Sequence, residues 1–195
     1  MVAFQNPEIK ITSKDGDDAF PRILLTNSHD GMQAFKFSVG IFRLVCSNGL
    51  VVADEQFSDF KIKHKGYSFE ELRNVVRQAV QDLPNRVQVM NDMKNRILSE
   101  EEKRKLALDA MLIRAGVKTL NYDQETIDDI LEPKRKEDKG DDLWRVFNVV
   151  QEKITQGDFH AALTGAKVRK VRKIKSFEKD MKVNKQLFKL ATSLI

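Results

Sequence analysis

Apolar positions in the first third of the chain recur at intervals of two, the period of a strand half buried in a sheet. Ile9 and Ile11 alternate with polar neighbours and predict a short strand. Arg22 to Thr26 is a compact apolar run. Asn27-Ser28-His29-Asp30-Gly31 closes it, and such residues suit a turn because short polar side chains bond their own backbone. Phe35, Phe37, Val39 and Ile41 then fall two apart, with Lys36 and Ser38 between them, and predict a longer strand. Past Gly40 the parity shifts to Phe42, Leu44 and Cys46, as a bulge at Gly40 or burial of both faces would cause. Asn48-Gly49 between apolar runs signals a two-residue hairpin, with Leu50 to Val52 opening the return strand. Phe60, Ile62 and His64 form a further alternating set.

Beyond Gly66 the period becomes helical. Ser68 to Glu71 has the pattern of a capping box, in which hydroxyl and carboxylate satisfy orphan amides at a helix start. Leu72, Val75, Val76, Ala79, Val80 and Leu83 follow at helical spacing. Pro84 is expected to kink or end that helix, and Val87, Met90, Met93 and Ile97 to continue the pattern. Ser99 to Glu102 is a second capping box, opening a helix that Gly116 closes. Asp123 caps a short helix holding Ile127, Ile130 and Leu131, stopped by Pro133. Lys134 to Asp142 is charged throughout except at Gly140 and reads as an exposed loop. Leu143, Phe147, Val150 and Ile154 line one face of the next helix, which Gly157 ends, with Trp144 assigned to the core. A last amphipathic helix starts at Ser176, with Phe177, Met181, Phe188, Ala191 and Ile195 in its stripe.

Strands followed by helices, rather than an alternation of the two, predict an α+β fold. The expected architecture is an N-terminal antiparallel sheet with helices packed on one face, and a helical C-terminal part. Residues 1–66 form the β-rich part of a single domain and 67–165 its helical part. Residues 166–195 form a basic segment and C-terminal helix.

With 41% apolar and 32% charged residues, the composition excludes a disordered or membrane-embedded chain. No run approaches the roughly 18 apolar residues of a membrane span. The N-terminal residues lack the basic and apolar regions of a secretion signal. The single cysteine, Cys46, allows no internal disulfide and suits a reduced compartment, so the expected location is the cytoplasm of a bacterial host cell. The net charge of +5 is unevenly placed. From Lys167 onward ten basic residues face two acidic ones, leaving that segment at +8 and the rest at −3. Such asymmetry points to a polyanionic partner.

Several segments resemble a known family. They are Leu25 to Phe35, Gly40 to Val52 with its Cys46-Ser47-Asn48-Gly49-Leu50 block, Leu143 to Phe159, and Val168 to Ala191. Together they are similar to the phage/plasmid-like protein family, domain of unknown function 932, from about Leu24 onward. The resemblance implies residence on phages, prophages or plasmids, and an N-terminal region shorter than members usually have. It brings no catalytic residue, cofactor or substrate to transfer.

The clearest candidate site is the run Lys167, Arg169, Lys170, Arg172, Lys173 and Lys175. Val168, Val171 and Ile174 recur every third residue and leave the cations in pairs between apolar anchors. A segment of this kind can lie on the body with a ribbon of charge outward, binding phosphates with release of counterions. The bland alternatives are a solvated face or a surface docked on the acidic body. Contacts of this type favour the nucleic-acid backbone over base sequence, and do not distinguish single-stranded from double-stranded partners. The rival partner is a host or phage protein, for an inhibitor of host defence or a virion component. The sequence does not specify an oligomeric state.

Other chemistry is weakly supported. Phe35, Phe37, Phe42, Phe57 and Phe60 at strand spacing read as core rather than base-stacking residues. Asn27, Ser28, His29, Asp30, Arg43, Cys46 and Asn48 form a dense polar cluster, but their types suit turns, and Cys46 sits on the apolar parity where a thiol is inert. No catalytic residue is assigned and no cofactor is expected. His29, His64 and His160 are far apart and the one cysteine has no partner at zinc spacing, so no metal site is expected. Neither a phosphate-binding glycine loop nor a dinucleotide fingerprint is present.

Overall fold

A computed structural model describes residues 2–5, 19–26, 35–43, 60–62, 69–81, 83–120, 122–157, 159–162 and 168–195. The chain resolves into two compact units, Met1–Gln88 and Val89–Ile195. The class is α+β, as the order of periods predicts.

Among its described residues the first unit contains four strands, β1 (Val2–Gln5), β2 (Ala19–Thr26), β3 (Phe35–Arg43) and β4 (Phe60–Ile62). They form one antiparallel sheet in chain order. The apolar run at Arg22–Thr26 and the alternating set from Phe35 are its two central strands. Of the two explanations for the parity shift, a bulge at Gly40 is not the one adopted. β2 and β3 pair without interruption from Ala19↔Arg43 to Thr26↔Lys36, with Gly40 opposite Arg22. β1 precedes the expected first strand; the Ile9–Ile11 segment, the Asn48-Gly49 hairpin, Leu50–Val52 and His64 lie outside the described residues.

Helix α1 (Phe69–Gln81) exposes Glu70, Arg73, Asn74, Arg77, Gln78 and Gln81 on a single helical face. The Arg73 guanidinium donates to Glu70 at 3.3 Å and sits 5.5 Å from the Phe69 ring centroid. Ser68, the first half of its predicted capping box, lies outside the described residues. Pro84 stands in the first turn of a second helix, α2 (Leu83–Asn95), where its missing N–H breaks no intrahelical bond. Ile97 does not extend the pattern of α2. It lies beyond the helix in an isolated bridge with Asp142 and is 60% exposed.

The second unit is helical, with α3 (Glu100–Ala115), α4 (Gln124–Leu131), α5 (Leu143–Gln156) and α6 (Phe177–Thr192). The predicted caps set these boundaries. Ser99 and Glu102 exchange both bonds of the capping box. Gly116 closes α3 in the left-handed conformation, at φ 72° and ψ 31°. Asp123 accepts from the Thr126 amide at 2.7 Å. Ser176 accepts from the Lys179 amide to start α6. Glu102 and Asp123 titrate below the usual carboxylate range, held there chiefly by bonds to Ser99 and Thr126 respectively.

α5 is the centre of this unit, touched by α3, α4 and α6. The sequence predicts one apolar face, but nearly every side chain of the helix is buried, from Leu143 to Thr155. Trp144, Phe147 and Ile154 are sealed in, and Phe147 meets Phe188 of α6 edge to face at 6.1 Å. Polar residues survive there because each is paired. Gln151 donates to Asn184 at 2.7 Å and Lys153 to Asp129 at 2.8 Å. Arg135 takes Glu152 through both guanidinium nitrogens.

The stretch Lys134–Asp142 is largely exposed, as its charge predicts, but Asp138 and Asp142 are buried within it. Asp138, 3% exposed in a short 3₁₀ turn, bonds Arg135 at 3.2 Å. Asp142, equally buried, caps α5 by accepting from the Arg145 amide. In α6 the buried stripe runs through Met181, Val183, Leu187 and Ala191, while Ile195, expected in it, is 54% exposed.

Candidate nucleic-acid interface

After α5 the chain forms a small antiparallel pair, β5 (His160–Ala161) with β6 (Arg169–Lys170). These strands were not predicted; two-residue strands are too short to show a period. From β6 the chain runs without helix or strand to Ser176. Arg169, Lys170, Arg172, Lys173 and Lys175 are all exposed, whereas Val171 and Ile174 are each 7% exposed. Two outward positions thus alternate with one inward position. A flat strand repeats in two and a helix in 3.6, so neither spacing yields this pattern. Val168 is no anchor: it is 59% exposed, because it precedes the pairing that draws the chain onto the body. Lys167 lies outside the described residues.

Backbone bonds repeat the same spacing. The Val171 amide donates to the Phe159 carbonyl at 2.8 Å, and the Ile174 amide to the Thr155 carbonyl at 2.9 Å. Between them the Arg172 carbonyl accepts from Arg114 Nη2 at 2.7 Å, which ties the strip to α3. Gly157 permits the close fit. It adopts φ 78° and ψ −139°, and a side-chain carbon there would lie 2.4 Å from the Val171 carbonyl oxygen. The sequence marks Gly157 as a helix terminator; no local signal marks it as the seat of the strip.

Among the described residues, no ion pair joins Arg169, Arg172, Lys173 or Lys175 to a carboxylate of this chain. Lys173 feels the field of Asp180 on α6, as does Arg114. Burial pushes the Asp180 carboxyl up, and those two cations oppose the shift. Burial also lowers the pKa of Arg114, whose Nε is buried without a hydrogen-bond partner. Several cations elsewhere in this unit are more fully engaged: Arg96 with Glu102, Lys103 with Glu100 and Asp141, Arg104 with Asp128, and Arg145 with Asp142.

Of the polar cluster considered for nucleophilic chemistry, Arg43 falls within β3, and Asn27, Ser28, His29, Asp30, Cys46 and Asn48 lie outside the described residues. His160 is exposed on β5. Among the described residues, no three His, Cys, Asp or Glu side chains gather as a metal site requires, and no helix is long and apolar enough to cross a membrane.

Residues 3–188 match the family described as Domain of unknown function (DUF932), so the similarity begins well before Leu24, where the resembling segments start. The chain is also similar to UPF0380 protein YafZ and UPF0380 protein YfjQ, both of Escherichia coli (strain K12). Each is 30% identical over 178 residues, which is 90% of this chain. The chain spans 63% of the length of these relatives. No solved structure matches it. By a match that runs nearly its whole length, the chain belongs to the DUF932 family.

Proposed function

We propose that the chain is a non-enzymatic accessory protein of a phage or mobile element, acting in the cytoplasm of a bacterial host. In this reading it binds nucleic acid electrostatically through Arg169, Lys170, Arg172, Lys173 and Lys175, a run that Lys167 extends in sequence. One observation carries it. All five cations stand exposed on a backbone anchored every third residue, so they meet a partner as a set already in place. Holding them there removes much of the ordering cost that a flexible basic tail meets on binding.

Phosphate contacts made by such a strip position the partner without reading its sequence. If all five cations meet phosphates, the logarithm of affinity falls against the logarithm of salt with a slope of about −3.5 for a single strand and −4.5 for a duplex. Between 50 and 200 mM salt that is a loss of roughly 100- to 500-fold. The test is a salt series of oligonucleotide binding by fluorescence anisotropy. Reversing Arg169, Lys170, Arg172 and Lys173 to glutamate should abolish binding. Affinity unchanged by that reversal removes the strip as the binding site. A lysate partner that persists through nuclease treatment, with free oligonucleotides unbound, replaces nucleic acid with an acidic protein.

A further inference from the structure

The positive surface continues past Lys175. Ser176, the next residue, lies at the rim of an open groove of about 750 Å³ between the C-terminal end of α3 and the first turns of α6. Arg114, Lys118, Lys179 and Lys182 line it, and among the described residues Glu178 is the single carboxylate that faces them. Lys118, Lys179 and Lys182 are exposed, and among the described residues none of the three is in an ion pair. Their placement follows from local structure. Lys179 and Lys182 stand three apart on one side of α6. The left-handed turn at Gly116 redirects the chain, and Val117 and Lys118 become part of the wall. Leu112, Val117 and Val183 supply an aliphatic lining. Arg114 belongs to both surfaces: it lines the groove and donates to the Arg172 carbonyl of the strip. A second cavity, about 290 Å³ beside Lys103 and Asp141, offers no comparable charge, since Lys103 is held by Glu100 and Asp141.

We propose that this groove seats a short stretch of single-stranded nucleic acid that runs on from the strip. The inference rests on the strip being a nucleic-acid surface. Charge selects a polyanion. The volume falls in the range of sites that enclose single small ligands, about 300–1,000 Å³, a size suited to one or two nucleotides rather than to a duplex segment. Among the described side chains no aromatic lines the groove; bases meet aliphatic surface there, and contacts to the backbone charge leave the site tolerant of sequence.

The test compares three proteins: wild type, a strip variant (Arg169→Glu with Arg172→Glu) and a groove variant (Lys118→Glu with Lys182→Glu). Each is titrated with a labelled oligo-dT and with a duplex of equal length over a salt series, after circular dichroism confirms helix content. The groove variant should bind oligo-dT at least tenfold more weakly, with a salt slope reduced by about 1.4, while duplex affinity changes less than about threefold. Lys118→Gln with Lys182→Gln should move in the same direction by a smaller amount. If the groove variants bind oligo-dT like wild type while the strip variant does not, the groove inference falls and the strip reading stands. An equal loss for both oligonucleotides overturns single-strand selectivity. If wild type binds neither, both readings fall together.

Discussion

Replacing Gly157 with alanine tests whether the strip is truly seated on the body. The three atoms nearest the added methyl would all be backbone: the Val171 carbonyl oxygen at 2.4 Å, the Arg172 carbonyl carbon at 2.8 Å and the Val171 carbonyl carbon at 3.0 Å. The conformation itself, at positive φ with extended ψ, is one that only glycine adopts readily and costs an alanine about 1–3 kcal/mol. Overpacking against immovable atoms adds about 1–3 kcal/mol. Lifting the strip relieves the clash but gives up the amide bonds of Val171 and Ile174 and their burial, so a net loss of about 3 kcal/mol is expected. Gly116→Ala is the matched control. It also has positive φ, but nothing lies within 4 Å of the added carbon, so it should cost only about 1–2 kcal/mol. The lone tryptophan, Trp144, is 1% exposed in the same unit and reports its unfolding in urea by fluorescence. The difference between the variants should shift the midpoint by about 0.5–1 M. Trypsin, which cuts after lysine and arginine, should cleave the Gly157→Ala strip faster because cleavage needs the segment lifted. Equal midpoints for the two variants and an unchanged cleavage rate would refute the seating.

Two further outcomes follow from the charged groups. Arg135→Met strands the buried Glu152 carboxylate and should destabilise the helical unit by about 3 kcal/mol in urea, with part of the loss recovered in the Arg135→Met, Glu152→Gln double variant. Asp180 has a raised folded pKa, so the folded state holds its proton more tightly, and its contribution to stability falls as pH rises from the ordinary 3.8 through the folded value. Asp180→Asn should therefore gain little over wild type near pH 3.5 and most near pH 7. Glu102 and Asp123 run the other way: their depressed pKa values favour folding above the ordinary 4.5 and 3.8, and that contribution is lost in acid. A gain from Asp180→Asn that shrinks toward neutral pH would overturn the assignment.

Signals carried by neighbouring residues were the legible ones. The Ser99 box, the Asp123 and Ser176 caps and the Gly116 stop all act within one helical turn, and each is where the pattern places it. Pro84 was legible as an interruption, though not as the first turn of a new helix. What failed depended on partners distant in sequence. Within the largely exposed stretch Lys134–Asp142, the burial of Asp138 left no sign because its partner Arg135 is drawn in by Glu152, 17 positions away. α5 showed one apolar face because the partners of Gln151 and Lys153 lie on α6 and α4. For the strip, the period of three was visible, but its start was misplaced by one repeat at Val168, and the tether from Arg114, 58 positions away, left no mark.

The anchoring of the strip divides structural duty unequally among its residues. Within each triplet one side chain fills a slot in the body and two are exposed, so the charge can be raised, lowered or exchanged at Arg169 and Arg172 with little effect on folding. A change of length is another matter. Deleting one residue between Val171 and Ile174 shifts the phase and drives a hydrated cation toward the slot that Ile174 fills, a burial that costs several kcal/mol. The segment therefore tolerates wide drift in its charges while its spacing stays rigid, as a keyboard can be relabelled but not shortened.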